Sequence, residues 1–388
     1  MEQPIRVLQI LVGGNYFTGI ANVLNRYYHH MDRSRVRFDF CFCLNNCMQM
    51  VADDPIYADA AFYELQAYRK SGHGIAYPQL YRRLCALLGA HTYDAVHINT
   101  TAIPVTAVCV TAAKHCGIKK IISHSHNGNL FAASNRSIGN RVRAYVYSGK
   151  SPLSRYIVRS CTHLLGCSSA AGEALFGVSG IGGGKFTVLK NAIDTKQFRY
   201  DPAVRAAVRE REQVPEGTPV FGHIGRMSYE KNHTFLIDEF AQIRKQLPTA
   251  HLWLIGDGEY RGRLEAQIDA LGLSGAVRLL GQRQNVGEYM QAMDVFLFPS
   301  HMEGLGIAVI EAQAAGLPVY ASDVLPPETH VTDRIRYLPL SDGADRWAEA
   351  VCRDRAWEMP RRDTADDIRS HGYDITSVSA SLADLYLQ

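Results

Sequence analysis

A chain of 388 residues is long enough for two domains, each with its own hydrophobic core. Its content of 47% hydrophobic and 20% charged residues is that of an ordinary soluble globular protein. No apolar run approaches the roughly 20 residues that a membrane span requires, and no signal peptide precedes the first strand, so we expect a cytoplasmic protein.

The net charge of +3 is unevenly distributed along the chain. Residues 1–190 carry a net charge of +11, and the remainder carries −8. A basic first half indicates an anionic partner, such as a membrane surface or a diphosphate-linked acceptor, and charge pairing between the two halves is the alternative. The nine cysteines include no C-x-x-C pair, so we predict reduced, mostly buried thiols.

The first half alternates short apolar strands with helices. Continuous apolar character predicts a strand at Ile5–Val12, which ends at Gly13-Gly14-Asn15 and precedes a helix over Gly19–His29. The absence of a G-x-G-x-x-G fingerprint from this turn disfavours a nicotinamide cofactor. The pattern continues with a strand within Met31–Phe42, helices at Tyr77–Leu88 and Pro104–His115, and strands at Ala95–Ile98, Lys120–Ser123 and His163–Gly166. This alternation predicts a doubly wound sheet with ligands at the C-terminal ends of its strands.

Two histidines, His124 and His126, stand where the strand beginning at Lys120 ends. They are placed to face a ligand, and a surface turn or a helix cap is the alternative. A zinc site is disfavoured because no further ligands follow at a recognisable spacing. An imidazole here is suited to donate a hydrogen bond to a hydroxyl or to a phosphate of that ligand.

A basic and aromatic segment follows at residues 135–159. Arg136, Arg141 and Arg143 are interleaved with Tyr145 and Tyr147, a composition that suits the interfacial zone of a membrane. A solvated helical face is the alternative, and no motif for nucleic-acid binding is present.

The second half repeats the alternation of strands and helices. A strand at Val220–Gly225 leads into a loop with Arg226 and Lys231, two cations that can both reach a diphosphate. A pair of exposed charges is the alternative. Further strands are predicted at His251–Gly256, Val277–Leu280 and Val295–Phe298.

The most informative stretch is Pro299–Asp323, in which a strand feeds a glycine loop and the loop feeds a helix starting at Ile307. Unpaired backbone N–H groups and the positive end of the helix dipole suit a phosphate. Glu303 in the loop and Glu311 on the helix are placed to grip the hydroxyls of a sugar and a ribose. An ordinary α/β corner with solvated glutamates is the alternative.

This stretch resembles the signature of the retaining GT-B glycosyltransferases known as family 4 or glycosyl transferases group 1. In that family two glutamates separated by seven residues mark the nucleotide-sugar site, as Glu303 and Glu311 are here. The trailing EAQAAGLPV and the segment Met31–Phe42 resemble the branch that builds bacterial exopolysaccharide and capsule. The first loop departs from the family, because Thr18–Ala21 lacks its usual glutamate and one glycine of its glycine pair.

The resemblance implies a GT-B fold, in which two Rossmann-like doubly wound α/β domains face each other across a cleft. We expect an acceptor domain at residues 1–190, a nucleotide-sugar domain at 191–363, and a C-terminal helix at 364–388 that returns to the first domain. The residues that it implies as catalytic are His126, Arg226, Lys231 and Glu303. Those that it implies as donor-binding are Gly14, Gly19, Gly225, Arg226, Lys231, Gly256, Arg283, Val286, Glu303, Gly304, Leu305, Gly306 and Glu311.

The predicted function is transfer of a sugar from a UDP-sugar to a glycan or lipid-diphosphate-linked acceptor in exopolysaccharide or capsule synthesis, with retention of configuration. The expectation includes no cofactor or metal, no nucleic-acid partner, and peripheral contact with the inner face of the cell membrane. The alternatives are a nucleotide-sugar epimerase or phosphorylase on the same fold, and a non-catalytic nucleotide-binding protein that the altered Thr18–Ala21 loop would favour.

Overall fold

The computed structural model describes residues 3–12, 19–45, 54–69, 74–100, 102–126, 148–177 and 184–388. The chain divides into two compact units, one formed by Met1–Ala192 together with Asp374–Gln388 and the other by Ile193–Tyr373. Within these described ranges, none of the helices is both long and apolar enough to cross a bilayer.

The first unit is built on a parallel sheet whose described strands lie in the order β3-β2-β1-β4-β5-β6-β7. The strands are β1 (Ile5–Leu11), β2 (Val36–Phe42), β3 (Phe62–Glu64), β4 (Ala95–Asn99), β5 (Lys120–Ser125), β6 (His163–Gly166) and β7 (Phe186–Val188). Helices cover both faces of the sheet, which is why its central strands are buried along nearly their whole length. These helices are α1 (Gly19–His29), α2 (Tyr77–Ala90), α3 (Ile103–His115), α4 (Pro152–Ser160) and α5 (Ser169–Phe176).

Local sequence signals explain where these helices begin. The hydroxyl of Ser151 accepts a hydrogen bond from Ser154 N, and Pro152 occupies the first turn of α4. The hydroxyl of Ser168 caps α5 in the same way, and Gly177 ends that helix in the left-handed conformation.

The second unit repeats the design with described strands in the order β10-β9-β8-β11-β12-β13, again all parallel. The strands are β8 (Val220–Ile224), β9 (His251–Ile255), β10 (Val277–Gly281), β11 (Val295–Phe298), β12 (Val319–Ser322) and β13 (Ile335–Leu338). The helices are α6 (Thr195–Phe198), α7 (Pro202–Arg211), α8 (His233–Gln246), α9 (Arg261–Ala270), α10 (Val286–Ala292), α11 (Ile307–Ala314), α12 (Gly343–Asp354) and α13 (Ala365–Ser370).

The C-terminal helix α14 (Ile375–Leu387) belongs to the first unit. Leu382 and Tyr386 are buried in the core that also contains Val7 and Phe38, and the ring of Tyr386 meets that of Phe38 edge-on at 5.7 Å. The carboxylate of Asp374 caps the helix by accepting from Ser377 N. The preceding helix α13 packs in the second unit instead, so the chain crosses back at Tyr373–Asp374.

Each sheet changes its direction of winding at a central strand. In the first unit β1 lies between β2 and β4, and in the second β8 lies between β9 and β11. Doubly wound sheets bind their ligands beyond the carboxyl ends of the strands at such a point. The fold therefore directs attention to the residues that follow β1 and β4, and to those that follow β8 and β11.

Candidate active site

In the second unit the predicted donor-binding residues all follow the carboxyl ends of neighbouring parallel strands. Gly225, Arg226 and Lys231 come after β8, Gly256 after β9, Arg283 and Val286 after β10, and Glu303–Gly306 and Glu311 after β11. Because carboxyl ends of parallel strands share one edge of a sheet, the fold brings these segments to the same edge.

An ion pair between two loops at this edge joins Lys231 to Glu303. Lys231 Nζ lies 2.5 Å from Glu303 Oε1, which also accepts a hydrogen bond of 2.9 Å from Ser300 Oγ. The two charged side chains are only 21% and 10% exposed, and the ammonium lies 4.6 Å from the centroid of the Phe298 ring. The cation is held by a carboxylate and an aromatic ring, and the carboxylate is held in turn by the Ser300 hydroxyl, so the ammonium is fixed in place before any anionic ligand arrives.

Backbone contacts between two loops account for the glycines at this edge. Gly225 N donates to Ile255 O, and Met227 N donates to Asp257 O, so the loop after β8 lies directly on the loop after β9. A Cβ added at Gly256, whose φ is +135°, would lie 2.0 Å from Gly225 O, and one added at Gly258 would lie 2.3 Å from Met227 O. The glycines are therefore required by the close approach of the two backbones.

Arg226 differs from Lys231 in its surroundings. Its side chain is 72% exposed and forms a 3.3 Å ion pair with Glu259, itself 53% exposed. The structure therefore leaves Arg226 free to change rotamer, whereas Lys231 is already held.

The helix after Glu303 presents its N-terminus at the same edge. Gly306, with φ of +77°, precedes Ile307, the first residue of α11, and Leu305 is buried against the core. Glu311 is also buried, about one turn inside the helix. The helix start supplies backbone N–H groups and a partial positive charge.

Arg283 and Val286 lie at the beginning of α10. Arg283 Nε donates to the Tyr289 hydroxyl at 3.0 Å, and that hydroxyl donates to Glu212 Oε1 at 2.8 Å. Val286 packs against the core of the second unit. Arg283 therefore lies just before α10 and is held by Tyr289 of that helix, with its side chain at the surface.

In the first unit, polar side chains replace apolar ones on one face of the central strands. Gln9 pairs with His97 in the register of β1 and β4, and Asn99 pairs with His124 in the register of β4 and β5. The polar side chains form a chain of hydrogen bonds from the C-terminal helix to His126. Its contacts are Tyr386 hydroxyl to His97 Nδ1 at 2.5 Å, Gln9 Nε2 to that hydroxyl at 3.0 Å, Asn99 Nδ2 to Gln9 Oε1 at 2.9 Å, and His126 Nε2 to Asn99 Oδ1 at 3.1 Å.

The histidines of this face are neutral at physiological pH. Burial lowers the pKa of His97 and of His126 to about 3, and it lowers the pKa of His124 well below its usual value. The side chain of Asn191 acts in the opposite direction on the pKa of His126 and offsets only part of this effect. The rings of His124 and His126 lie 3.9 Å apart, so a proton on one disfavours a proton on the other.

Some predicted residues lie outside the described part of the chain. Gly14 belongs to the undescribed segment 13–18, as does Thr18 of the altered loop, whereas Gly19 is the first residue of α1. Most of the basic and aromatic segment, including Arg136, Arg141 and Arg143, is also outside the described residues.

Sequence reasoning missed five residues that the structure brings to these two edges. Ser300 and Phe298 contact Glu303 and Lys231, and Gln9, Asn99 and Tyr386 connect to His126. One signal was available, because Gln9 is a polar residue among the apolar residues Val7–Leu11 of β1. Nothing local to Tyr386 indicates its partners, which lie 289 and 377 residues away.

Comparison with known proteins finds similarity to glycosyltransferases in sequence and in fold. Residues 204–352 match the family model described as "Glycosyl transferases group 1". EpsF of Bacillus subtilis, a relative named as a glycosyltransferase, is 29% identical over 387 residues, which cover 98% of this chain and 96% of EpsF. UDP-Gal:alpha-D-GlcNAc-diphosphoundecaprenol alpha-1,3-galactosyltransferase of Escherichia coli is 25% identical over 246 residues, or 62% of this chain and 60% of that enzyme.

Among solved structures, HepE of Anabaena in complex with UDP and glucose has a TM-score of 0.74 to this chain. It is 20% identical, and the match covers 98% of this chain and 99% of HepE. At this identity the likeness concerns the fold. The fold class predicted from the sequence, two Rossmann-like parallel-sheet domains of the GT-B kind, is confirmed.

Proposed function

We propose that this protein, whose residues 204–352 match glycosyl transferases group 1, transfers a sugar from a UDP-sugar to a glycan or a lipid-diphosphate-linked acceptor. The observation that carries the proposal is the Lys231–Glu303 pair at the carboxyl edge where β8 meets β11. A partly buried cation beside a helix N-terminus suits a diphosphate, and a carboxylate beside that cation suits sugar hydroxyls.

In the donor complex that we propose, Lys231 and Arg226 bind the diphosphate. Lys231 acts as a fixed point charge, and the exposed Arg226 leaves Glu259 to form a bidentate contact. Backbone N–H groups from Gly304 to Gly306 and the dipole of α11 add to the positive field.

The remaining residues of this edge distinguish the other parts of the donor. Glu303 binds hydroxyls of the transferred sugar and Glu311 those of the ribose, because a carboxylate accepts from paired hydroxyls. The segment from Arg283 to Val286, at the start of α10, lies at the nucleobase. Val286 offers apolar contact to the base, and backbone groups of this segment offer hydrogen bonds.

The chemistry that we propose is a same-face displacement with retention of configuration. The bond between the anomeric carbon and the diphosphate oxygen breaks, the acceptor oxygen bonds to the same face of that carbon, and the acceptor proton passes to the departing phosphate oxygen. Lys231 and Arg226 stabilise the negative charge that develops on the diphosphate, which is the part a bound metal ion plays in other transferases.

We propose a lipid-diphosphate-linked acceptor in exopolysaccharide or capsule synthesis. The relative from Escherichia coli is named for such an acceptor, and a basic first half suits an acceptor that carries a diphosphate at a membrane surface. The experiment is flotation of the protein with anionic vesicles, which Arg141→Glu with Arg143→Glu should weaken; unchanged flotation would contradict membrane contact.

The donor site is tested first by thermal unfolding with UDP, GDP and ADP, followed by a panel of UDP-sugars. A ligand at about 100 times its Kd adds roughly 2.7 kcal/mol to the free energy of unfolding. We expect UDP alone among the three nucleotides to raise Tm, and one UDP-sugar to raise it further. Lys231→Ala should abolish the shift, whereas Lys245→Ala, which changes an exposed lysine of α8, should keep it.

Two further outcomes separate the alternatives. A Tm that no nucleotide changes would contradict the donor site itself. A protein that binds UDP but releases none from a UDP-sugar with any acceptor extract would be a non-catalytic nucleotide-binding protein. Retention is tested separately, from the anomeric configuration of the product by NMR.

A further inference from the structure

One backbone carbonyl sets the direction of the hydrogen-bond chain that ends at His126. Asn99 Nδ2 lies 3.2 Å from the carbonyl oxygen of His97, and 2.9 Å from Gln9 Oε1. A carbonyl oxygen only accepts hydrogen bonds, so the amide nitrogen of Asn99, and not its oxygen, has to face His97. The oxygen of Asn99 therefore faces His126 Nε2, at 3.1 Å.

The direction of every other link follows from Asn99. Because Asn99 Oδ1 only accepts, the hydrogen of that contact lies on His126 Nε2. On the other side, Gln9 Oε1 accepts from Asn99, so Gln9 Nε2 faces the Tyr386 hydroxyl and donates to it. The hydroxyl then donates its own hydrogen to His97 Nδ1, at 2.5 Å. Reversing the links of Asn99 to Gln9 or to His126 would place two donors or two acceptors opposite each other.

Charge does not disturb this arrangement at physiological pH. Among the described residues, the titratable groups that face His126 or its chain are His124, His97 and Tyr386, with Tyr27 beside Tyr386, and burial raises the pKa of the Tyr27 hydroxyl as well. Burial lowers the pKa of all three histidines and raises that of the Tyr386 hydroxyl, so each is uncharged. A neutral imidazole with hydrogen on Nε2 carries a lone pair on Nδ1.

We propose that Asn99, fixed by the His97 carbonyl and by Gln9, is a positioning residue that holds His126 in the tautomer with hydrogen on Nε2. Nδ1 is a buried atom, and to a sugar hydroxyl that reaches it in the donor or acceptor complex it offers a lone pair and not a hydrogen. This differs from the sequence-based expectation, in which the imidazole donates to the sugar or to the leaving phosphate. The identity of the hydroxyl rests on the proposed function, whereas the tautomer follows from the protein alone.

The tautomer is measured by long-range proton–nitrogen correlation NMR on the full chain labelled with ¹⁵N-histidine at pH 7. The signals of His126 are identified by their loss in His126→Gln. We expect Nε2 to carry hydrogen and Nδ1 to be unprotonated. Hydrogen on Nδ1, or equal populations of the two tautomers, would overturn the proposal. No donor or activity is needed, so failure of the proposed transferase function leaves this result readable.

Asn99→Asp tests the positioning role with a change of charge at nearly constant shape. A carboxylate that accepts from Nε2 favours the cation, so the pKa of His126 should rise by about 1–3 pH units from about 3. In NMR both ring nitrogens should then become protonated between pH 4 and 6. In kinetics kcat/KM should gain an acid limb, with activity recovering as the pH rises and Nδ1 loses its proton.

Asn25→Asp is the matched control, since Asn25 accepts from the Tyr57 hydroxyl in the same unit and lies outside the chain to His126. It should leave the titration of His126 unchanged. An Asn99→Asp protein in which His126 titrates as in the parent would overturn the positioning role.

Tyr386→Phe provides a second test that keeps Asn99 in place. The variant removes the donor to His97 Nδ1, but Asn99 is still oriented by the carbonyl oxygen. The NMR signals of His97 should therefore shift while His126 keeps hydrogen on Nε2. Tyr93→Phe, which removes the hydroxyl bonded to Asp39 at 2.9 Å, should move neither ring. If the His126 hydrogen moved to Nδ1 in Tyr386→Phe, the His97 carbonyl oxygen would not be what orients Asn99 and thereby His126.

Discussion

The carboxyl edges of the two sheets are built from the same strand-and-loop pattern but satisfy their polar side chains differently. In the second unit, opposite charges from separate loops pair directly, as Lys231 and Glu303 do across 72 residues of sequence. In the first unit, uncharged rings and amides link into a chain from Tyr386 to His126. The fold alone does not decide the chemistry at the strand where a sheet changes its direction of winding. The side chains that lie there decide it.

The difference has a physical consequence for ligands. The N-terminus of α11 carries a partial positive charge, and the Lys231 ammonium, although paired with Glu303, can still donate to an anion such as a diphosphate. A face of neutral hydrogen-bonding groups has little net field, so it favours neutral hydroxyls whose direction of donation matches its own. On the proposed function, the second unit therefore binds the diphosphate, and the edge at His126 suits a neutral hydroxyl beyond those proposed for Glu303 and Glu311.

The largest expected effect comes from removing the cation of the second edge. Lys231→Ala should lower kcat/KM about 30- to 1,000-fold, because loss of a fixed charge donor costs about 2–4 kcal/mol of transition-state stabilisation. Steady-state kinetics with the UDP-sugar found by thermal unfolding measures it. Arg226→Ala should cost less, since that side chain is 72% exposed and its charge is screened by solvent.

Lys245→Ala is the control for both variants, because Lys245 is an exposed residue of α8 that contacts Gln242. It should retain full turnover. Near-full turnover in Lys231→Ala itself would mean that Lys231 does not bind the diphosphate. The proposed difference between a charged and a neutral edge would then be wrong.

The sequence predicted those parts of the two edges that depend on local pattern. Apolar runs predicted β1, β8 and β11. Gly306 and the helix pattern that follows it predicted the N-terminus of α11 at the carboxyl edge of the second unit. The short strands β3, β7 and β13 were missed, because segments of three or four partly exposed residues carry no clear period.

Contacts between distant residues could not be predicted from the same pattern. The glutamates and the lysine were predicted to bind a donor, but the direct pairing of Lys231 with Glu303 requires the packing of the loops after β8 and β11. The hydrogen-bond chain of the first edge was missed because it needs α14 placed on the sheet, and no local signal marks Gln9 and Tyr386 as partners.

A second feature of the second unit is the close contact between the backbones of the loops after β8 and β9, which a substitution of Gly256 tests. Gly256→Ala places a Cβ 2.0 Å from Gly225 O at a φ of +135°, so it should lower the free energy of unfolding by on the order of 1–3 kcal/mol. Gly262→Ala in α9, where an added Cβ meets nothing within 4 Å, should instead raise it by about 0.5–1 kcal/mol. Urea unfolding of both variants measures the difference, and equal stability would contradict the close approach of the two loops.

The neutral edge of the first unit is tested by its dependence on pH. Burial lowers the pKa of His124 in the folded protein well below 6.5, the usual value, which applies to the unfolded chain. Below about pH 6.5 the unfolded chain therefore binds a proton at His124 that the folded protein does not bind. The free energy of unfolding should therefore be highest above about pH 6.5 and decrease on acidification, by up to about 1.4 kcal/mol per pH unit for each such ring.

His97 and His126 act in the same sense, as do His223 and His233 of the second unit, so the parent protein alone does not isolate the first edge. His124→Phe does, because it removes one titrating ring and keeps a flat side chain between its neighbours at 3.9 and 5.4 Å. Urea unfolding at intervals from pH 7 to pH 5 should give a slope against pH that is shallower by nearly one proton. A slope identical to that of the parent would mean that His124 is already charged in the folded protein. Both edges would then carry charged side chains, and the proposed difference between them would be wrong.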